Sequence, residues 1–246
     1  MTWRDKPMLG WDTETDSPNP EDAHIVTACA GWASPDGWAP INWILKPDRP
    51  IAVEAQAIHG VTTEFAEEHG LDRKVGLSQI RDALEAAWAL DSPVVIYNAP
   101  YDTTTLDREL RRNGLRGLRV TGPVIDPLVL DKVTNRFQKG SRKLIDVARH
   151  HGITLDEADA HGAEADALAS CRIAWKLAAL PPDPRVFDPL PPLGSMSLRA
   201  LHTFQVEAYE NQKLSFIEFR RRKGEPLDDE SLDWPLRPFE PQPAVA

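Results

Sequence analysis

The chain has 246 residues and a mass of 27.4 kDa, room for one generous domain or for an ordinary one with an extension. Hydrophobic residues make up 41% and charged residues 27%, the balance of a chain that buries a core, which excludes disorder throughout. With 28 basic against 38 acidic residues the net charge is -10, which argues against high intrinsic affinity for a long phosphate backbone and for help from a partner wherever one must be held.

Residues 8–13 are a short apolar run ending in Asp-Thr-Glu, and residues 25–33 and 38–45 are further strand candidates. A Ser-Pro-Asp-Gly turn at residues 34–37 separates the last two, so the spacing predicts a hairpin and three adjacent antiparallel strands. Residues 75–90 place Ile80, Leu84, Ala87 and Trp88 at helical spacing, and a strand over 94–97 follows. A helix over 101–113 closes at Gly114, a brief strand over 124–125 leads to Asp126-Pro127, and residues 144–151 and 163–180 read as two more helices. Hairpins followed by alternating helices and strands indicate an α/β fold with a mixed central β-sheet flanked by helices.

The core domain is expected to span residues 1–180. Six prolines fall within residues 181–192, too many for a helix interior or central strand, so residues 181–194 read as a linker. Residues 195–246 read as a C-terminal extension, helical to Lys223 and then an extended Pro-rich tail. No apolar run is long enough for a membrane span and no secretory leader is evident, so a cytoplasmic location and no membrane contact are expected. Cys29 and Cys171 stand far apart in apolar surroundings and are expected to be buried thiols.

Asp12 and Glu14 are two apart at a strand end, and the period of a strand points both carboxylates to one side. Like charges so close raise each other's pKa unless a cation lies between them, so a hard divalent metal is the physically comfortable occupant; a solvated strand end is the plain alternative. Asp102 follows a strand at the mouth of a helix, where an Asp also serves simply as a cap or dipole partner. His161 precedes a helix that carries Asp166 in its opening turn or so. A neutral imidazole there can take a proton from water while the aspartate completes a metal shell; a surface helix with a solvated histidine is the alternative.

Taken together, Leu9-Gly-Trp-Asp12-Thr-Glu14-Thr, Val95-Ile-Tyr-Asn98-Ala-Pro-Tyr101-Asp102, and His161 with four residues before Asp166 resemble the DEDD exonuclease superfamily. The resemblance is to its histidine-bearing DnaQ-like branch, which includes the proofreading epsilon subunit of bacterial DNA polymerase III, ribonuclease T and oligoribonuclease. The tyrosine-bearing branch would put tyrosine where Gly162 stands. Ala57-Ile-His59-Gly60-Val61-Thr62 matches the Ile-His-Gly-Ile-Thr segment of the family. The similarity covers residues 7–180; Asp16-Ser17 replaces a frequent Thr-Gly, and Tyr101 replaces a frequent Phe.

The resemblance implies a ribonuclease H-like fold and 3′-to-5′ hydrolysis of terminal phosphodiesters, DNA before RNA. It implies two divalent ions, magnesium or manganese, held by Asp12, Glu14, Asp102 and Asp166, with His161 as general base. Thr13, His59, Asn98 and Tyr101 are the implied contacts to the terminal nucleotide, and a DNA polymerase is the implied partner. For His59 and Asn98 a loop-closing role is the alternative, and for Tyr101 a place in the core. In the extension, Arg220–Lys223 read either as cations at a helix C-terminus or as a strand guide or polymerase dock, and Trp234 and Phe239 as a partner-binding peptide. A phosphatase with an aspartyl nucleophile would leave Asp102, His161 and Asp166 without a role. A silent binding module on the same fold would have lost a ligand, and none is missing.

Overall fold

The computed structural model describes residues 2–155, 162–227 and 229–240; His161, the implied base, lies outside them. Three strands, β1 (Met8–Thr15), β2 (Ile25–Ser34) and β3 (Gly37–Ile44), run antiparallel in order of sequence. The β2–β3 turn falls on the Ser-Pro-Asp-Gly tetrad, with Ser34 paired to Gly37. Helices α1 (Val53–His59), α2 (Thr63–His69) and α3 (Arg73–Ala89) lead to β4 (Val94–Val95), then α4 (Ala99–Arg112), β5 (Val124–Ile125), α5 (Pro127–Thr134), α6 (Leu144–His150), α7 (Ala163–Leu177) and α8 (Leu198–Lys223). The sheet order is β3-β2-β1-β4-β5, with β4 and β5 parallel to β1. This is the mixed sheet flanked by helices of a ribonuclease H-like fold.

Alternation along β1 divides its residues between two layers. Leu9 and Trp11 join Ile80, Leu84, Leu106 and Leu110 in the core under α3 and α4. Met8 joins Cys171, Ile173, Ala174 and Leu177 of α7 in the core on the other face. Gly10 lies on the α7 side, where a side chain would not fit: a Cβ there would stand 2.7 Å from the carbonyl oxygen of Ala167 and 2.7 Å from the Sγ of Cys171. That missing side chain lets α7 lie directly on β1. Both cysteines are free and buried.

Several elements differ from the sequence expectation. The strand over 94–97 is reduced to Val94–Val95, although the Ile96 amide still bonds the Ile125 carbonyl at 2.9 Å. Helix α4 starts at Ala99 rather than 101, because Pro100 is compatible with a first helical turn. Helix α7 ends at Leu177 rather than 180, the next residues tightening into three-residue turns, with the Ala179 amide on the Lys176 carbonyl at 3.2 Å and the Leu180 amide on the Leu177 carbonyl at 2.9 Å. The tail is not a free peptide. Trp234 is buried in the core under α3 and α4, so it is closed to a partner, while Phe239 lies 4.3 Å from the Arg111 guanidinium. In the cluster ending α8, Arg220 and Lys223 pair with Glu225 and Arg221 with Glu230. No helix among the described residues is long and apolar enough to cross a membrane.

Candidate active site

The C-terminal end of β1 and the first turns of α4 and α7 meet at one place. Asp12 and Glu14 project from β1 on the face covered by α7, and Asp166 enters from the opening turn of α7. Carboxylate oxygens of Asp12, Glu14 and Asp166 all lie within 4.8 Å of one another. The β1–β2 register slips between Glu14 and Thr15, so regular pairing stops just after the second acid.

Asp102 arrives from α4 and is 4% exposed. Its Oδ1 accepts the Thr13 amide at 3.1 Å and the Thr13 hydroxyl at 2.6 Å, which fixes it beside the residue that separates Asp12 from Glu14. The Thr13 amide, a backbone group expected at a terminal nucleotide, and the Thr13 hydroxyl are thus engaged within the protein.

The electrostatics of the acidic cluster favour uptake of a cation. Burial, followed by the charges of Asp102, Asp166 and Glu14, pushes the Asp12 carboxyl well above the ordinary range. Burial and then the charges of Asp166 and Asp102 raise Glu14 from 4.5 to about 8. Burial raises Asp102 to about 7 against the opposing bonds from Thr13. Four acids so placed repel one another when ionised, and a hard cation bound through oxygen removes the repulsion. The donor set therefore fits magnesium or manganese.

The remaining expected contacts are dispersed around this centre. His59 ends α1 ahead of Gly60, whose φ of 74° turns the chain. Its Nδ1 accepts the Val61 amide at 3.1 Å, the loop-closing role. Its Nε2 is buried and has no hydrogen-bond partner among the described residues. Burial holds the imidazole pKa down, towards the neutral form. His59 lines a cavity of about 770 Å³ with Asn42, Trp43, Gly162 and Glu164, at the N-terminus of α7. A cavity of about 790 Å³ between Arg4, Trp38 and Trp175 contains none of the four acids. Asn98 adopts left-handed backbone, φ 62°, at the entry to α4, and its amide donates to Asp126 Oδ1 at 3.0 Å. The Tyr101 hydroxyl donates to the Ser17 carbonyl at 2.5 Å and also meets the Thr15 hydroxyl, tying down the exit from β1.

Two supporting acids were not singled out in the sequence. Glu164 accepts from Trp38 Nε1 at 3.2 Å and Asn42 Nδ2 at 2.5 Å, fastening α7 to β3. Asp126 is 1% exposed and accepts the amides of Asn98, Ala99 and Leu128, at 3.0, 2.9 and 2.9 Å. Its sequence signal was present: an Asp directly before Pro127, the pattern of a helix cap followed by proline in the first turn.

The fold is that of a ribonuclease H-like domain with an acidic cluster at the end of its first strand, and sequence comparison gives the class. The profile of the RNase T exonuclease family matches residues 9–174, and the chain belongs to that DnaQ-like exonuclease family. It is 32% identical over 181 residues to the uncharacterized exonuclease CP81 of Escherichia phage 186, covering 70% of this chain and 86% of the phage protein. It is 26% identical over 162 residues to the DNA polymerase III subunit epsilon of Rickettsia prowazekii, covering 63% of this chain and 67% of that one. Among solved structures, E. coli exonuclease I in complex with a dA16 oligonucleotide superposes with a TM-score of 0.60 at 17% identity, over 87% of this chain and 45% of that one. The chain thus spans less than half the length of exonuclease I, and that likeness is one of fold.

Proposed function

We propose that this chain is a metal-dependent 3′-to-5′ exonuclease that removes nucleoside 5′-monophosphates from single-stranded or frayed DNA ends. The observation that carries the reading is the meeting of Asp12, Glu14 and Asp166 within 4.8 Å, with Asp102 anchored on Thr13. These four acids would hold two divalent ions, magnesium or manganese. Bound there, the ions would lower the pKa of water and offset charge developing on the phosphate.

The chain's own groups do the rest. His161 takes the proton of the attacking water. The water oxygen bonds to phosphorus as the phosphorus–O3′ bond breaks, and the departing O3′ takes a proton from solvent to become the 3′ hydroxyl of the shortened strand. His59, whose buried Nε2 has no hydrogen-bond partner among the described residues, offers a hydrogen bond to the terminal nucleotide from the cavity wall. Asn98 and Tyr101 hold the entry to α4 and the exit from β1, the two segments that frame the scissile bond. Such contacts read phosphate and sugar rather than bases, so little base preference is expected. The preference for DNA is supported by the oligonucleotide complexes of exonuclease I and by the epsilon relatives. The same relatives support a polymerase partner, which would compensate for the net charge of -10.

The test is degradation of matched 5′-labelled single-stranded DNA and RNA with Mn2+, with Mg2+ and with chelator. A metal-dependent ladder shortening from the 3′ end of DNA is expected. Cleavage of neither strand, or a ladder that survives chelation, would contradict the proposal.

A further inference from the structure

The matched family ends at residue 174, yet α8 and residues 231–239 reach back to the segment that carries Asp102. Gln205 of α8 is fully buried; its Oε1 accepts the Asp126 amide at 2.7 Å, and its Nε2 donates to the Val124 carbonyl at 2.9 Å. From the tail, Trp234 Nε1 donates to Asp126 Oδ2 at 3.3 Å, the same oxygen that accepts the Ala99 amide. The hydroxyl of Thr103, next in the chain to Asp102, lies between the carbonyls of Ala99 and Pro235. The Arg237 amide donates to the Thr104 hydroxyl at 3.2 Å, and Arg108 donates to the Pro238 carbonyl at 2.8 Å.

These contacts converge on one turn of helix. Asp126 gathers the first amides of α4, and the tail grips the two residues immediately after Asp102. A helix N-terminus leaves its first amides without helical partners, so an acceptor in that position determines where the helix begins and how its first turn is aimed. Asp102 is in that first turn, with one carboxylate oxygen committed to Thr13.

We infer that the C-terminal segment is a working part of the nuclease: Trp234, acting through Asp126, is a positioning residue for Asp102. The inference rests on the proposed metal-dependent reading, because Asp102 is there an ion ligand. Groups that orient a ligand typically alter metal affinity or activity by roughly 10- to 100-fold when replaced.

The experiment uses the full chain and Mn2+ as probe. Affinity is measured by calorimetry on wild type, W234F, W234A, D126N and the control I217A, which alters a buried residue of α8, at a temperature where each is folded. W234F keeps an aromatic ring while removing the donor together with the pyrrole part of the indole, so it is the milder change and remains informative if W234A does not fold. W234A and D126N are expected to weaken Mn2+ binding about 10-fold and W234F about 3-fold, with kcat on a DNA oligonucleotide falling and KM unchanged. I217A is expected to lower the melting temperature and leave Mn2+ affinity as in wild type. Wild-type affinity in folded W234F, or equal loss in I217A, overturns the inference and leaves the tail a stabilising strap. A wild type that binds no Mn2+ overturns both this inference and the proposed function, whereas wild-type binding with an unmoved W234F overturns this inference alone.

Discussion

Replacing Glu14 with glutamine should make the metal-free protein more stable while destroying its activity. Glu14 has its carboxyl raised from 4.5 to about 8, first by burial and then by Asp166 and Asp102. A folded-state pKa above the unfolded one contributes stability that is present below about 4.5 and is lost as the pH rises through about 8. At about 1.4 kcal/mol per pH unit between those values, the accumulated cost by pH 8 is at most roughly 4 kcal/mol, against about 1 kcal/mol at pH 5. Glutamine does not ionise. Allowing about half of the difference for its own burial, E14Q should melt about 4–8 °C above wild type at pH 8 in chelator, and by little more than wild type at pH 5. Addition of Mn2+ should reverse the order, raising wild type at pH 8 and leaving E14Q nearly unmoved. The assay is thermal melting across pH 5 to 8 with chelator or Mn2+. A variant no more stable than wild type at pH 8 in chelator, or a difference that does not grow with pH, would show that ionised Glu14 does not burden the metal-free fold.

Other substitutions probe neighbouring parts of the site. D12A and D166A should each abolish hydrolysis with the circular dichroism spectrum preserved, and substantial residual turnover in either would remove that carboxylate from the ligand set. H161A should lower kcat by roughly 10² to 10⁴ with Mn2+ affinity retained, as expected for loss of a general base, and an unchanged rate would exclude it from the mechanism. G10A should push α7 off β1, because its Cβ would meet the Ala167 carbonyl and Cys171 Sγ at 2.7 Å, and should destabilise the fold by about 1–3 kcal/mol. It should also weaken Mn2+ binding, since Asp166 rides on the displaced helix; a stable G10A with full Mn2+ affinity would show that this close approach does not set the site.

The parts of the fold legible in the sequence are those written in local patterns. The β2–β3 hairpin follows from its turn tetrad, and α3 from a long stripe of buried positions that includes Ile80, Leu84 and Trp88. Asp12 and Glu14 could be placed on one face because strand geometry has a period of two. Helices α1 and α2 escaped because each buries a single alanine, Ala55 and Ala66, and so shows no apolar stripe along the chain. Trp234 was misread because aromatic residues among prolines look the same in a free peptide as in a strap; its burial depends on His202 and Asp126, far away in the chain. Asp126 itself showed a helix-capping pattern, but nothing local could reveal that its oxygens also serve the first turn of α4. Thr13 illustrates the opposite case: the motif that contains it was plain, while the engagement of its amide and hydroxyl by Asp102 is a long-range contact.

Four carboxylates from β1, α4 and α7 are proposed to form a divalent-metal centre at a strand end. Anomalous diffraction from crystals grown with Mn2+ and a nucleoside 5′-monophosphate tests it most directly. Manganese peaks are expected between Asp12, Glu14, Asp102 and Asp166, with the nucleotide phosphate against them and the sugar and base towards His59. Manganese absent from those carboxylates at millimolar concentration, or found only elsewhere on the surface, would contradict it.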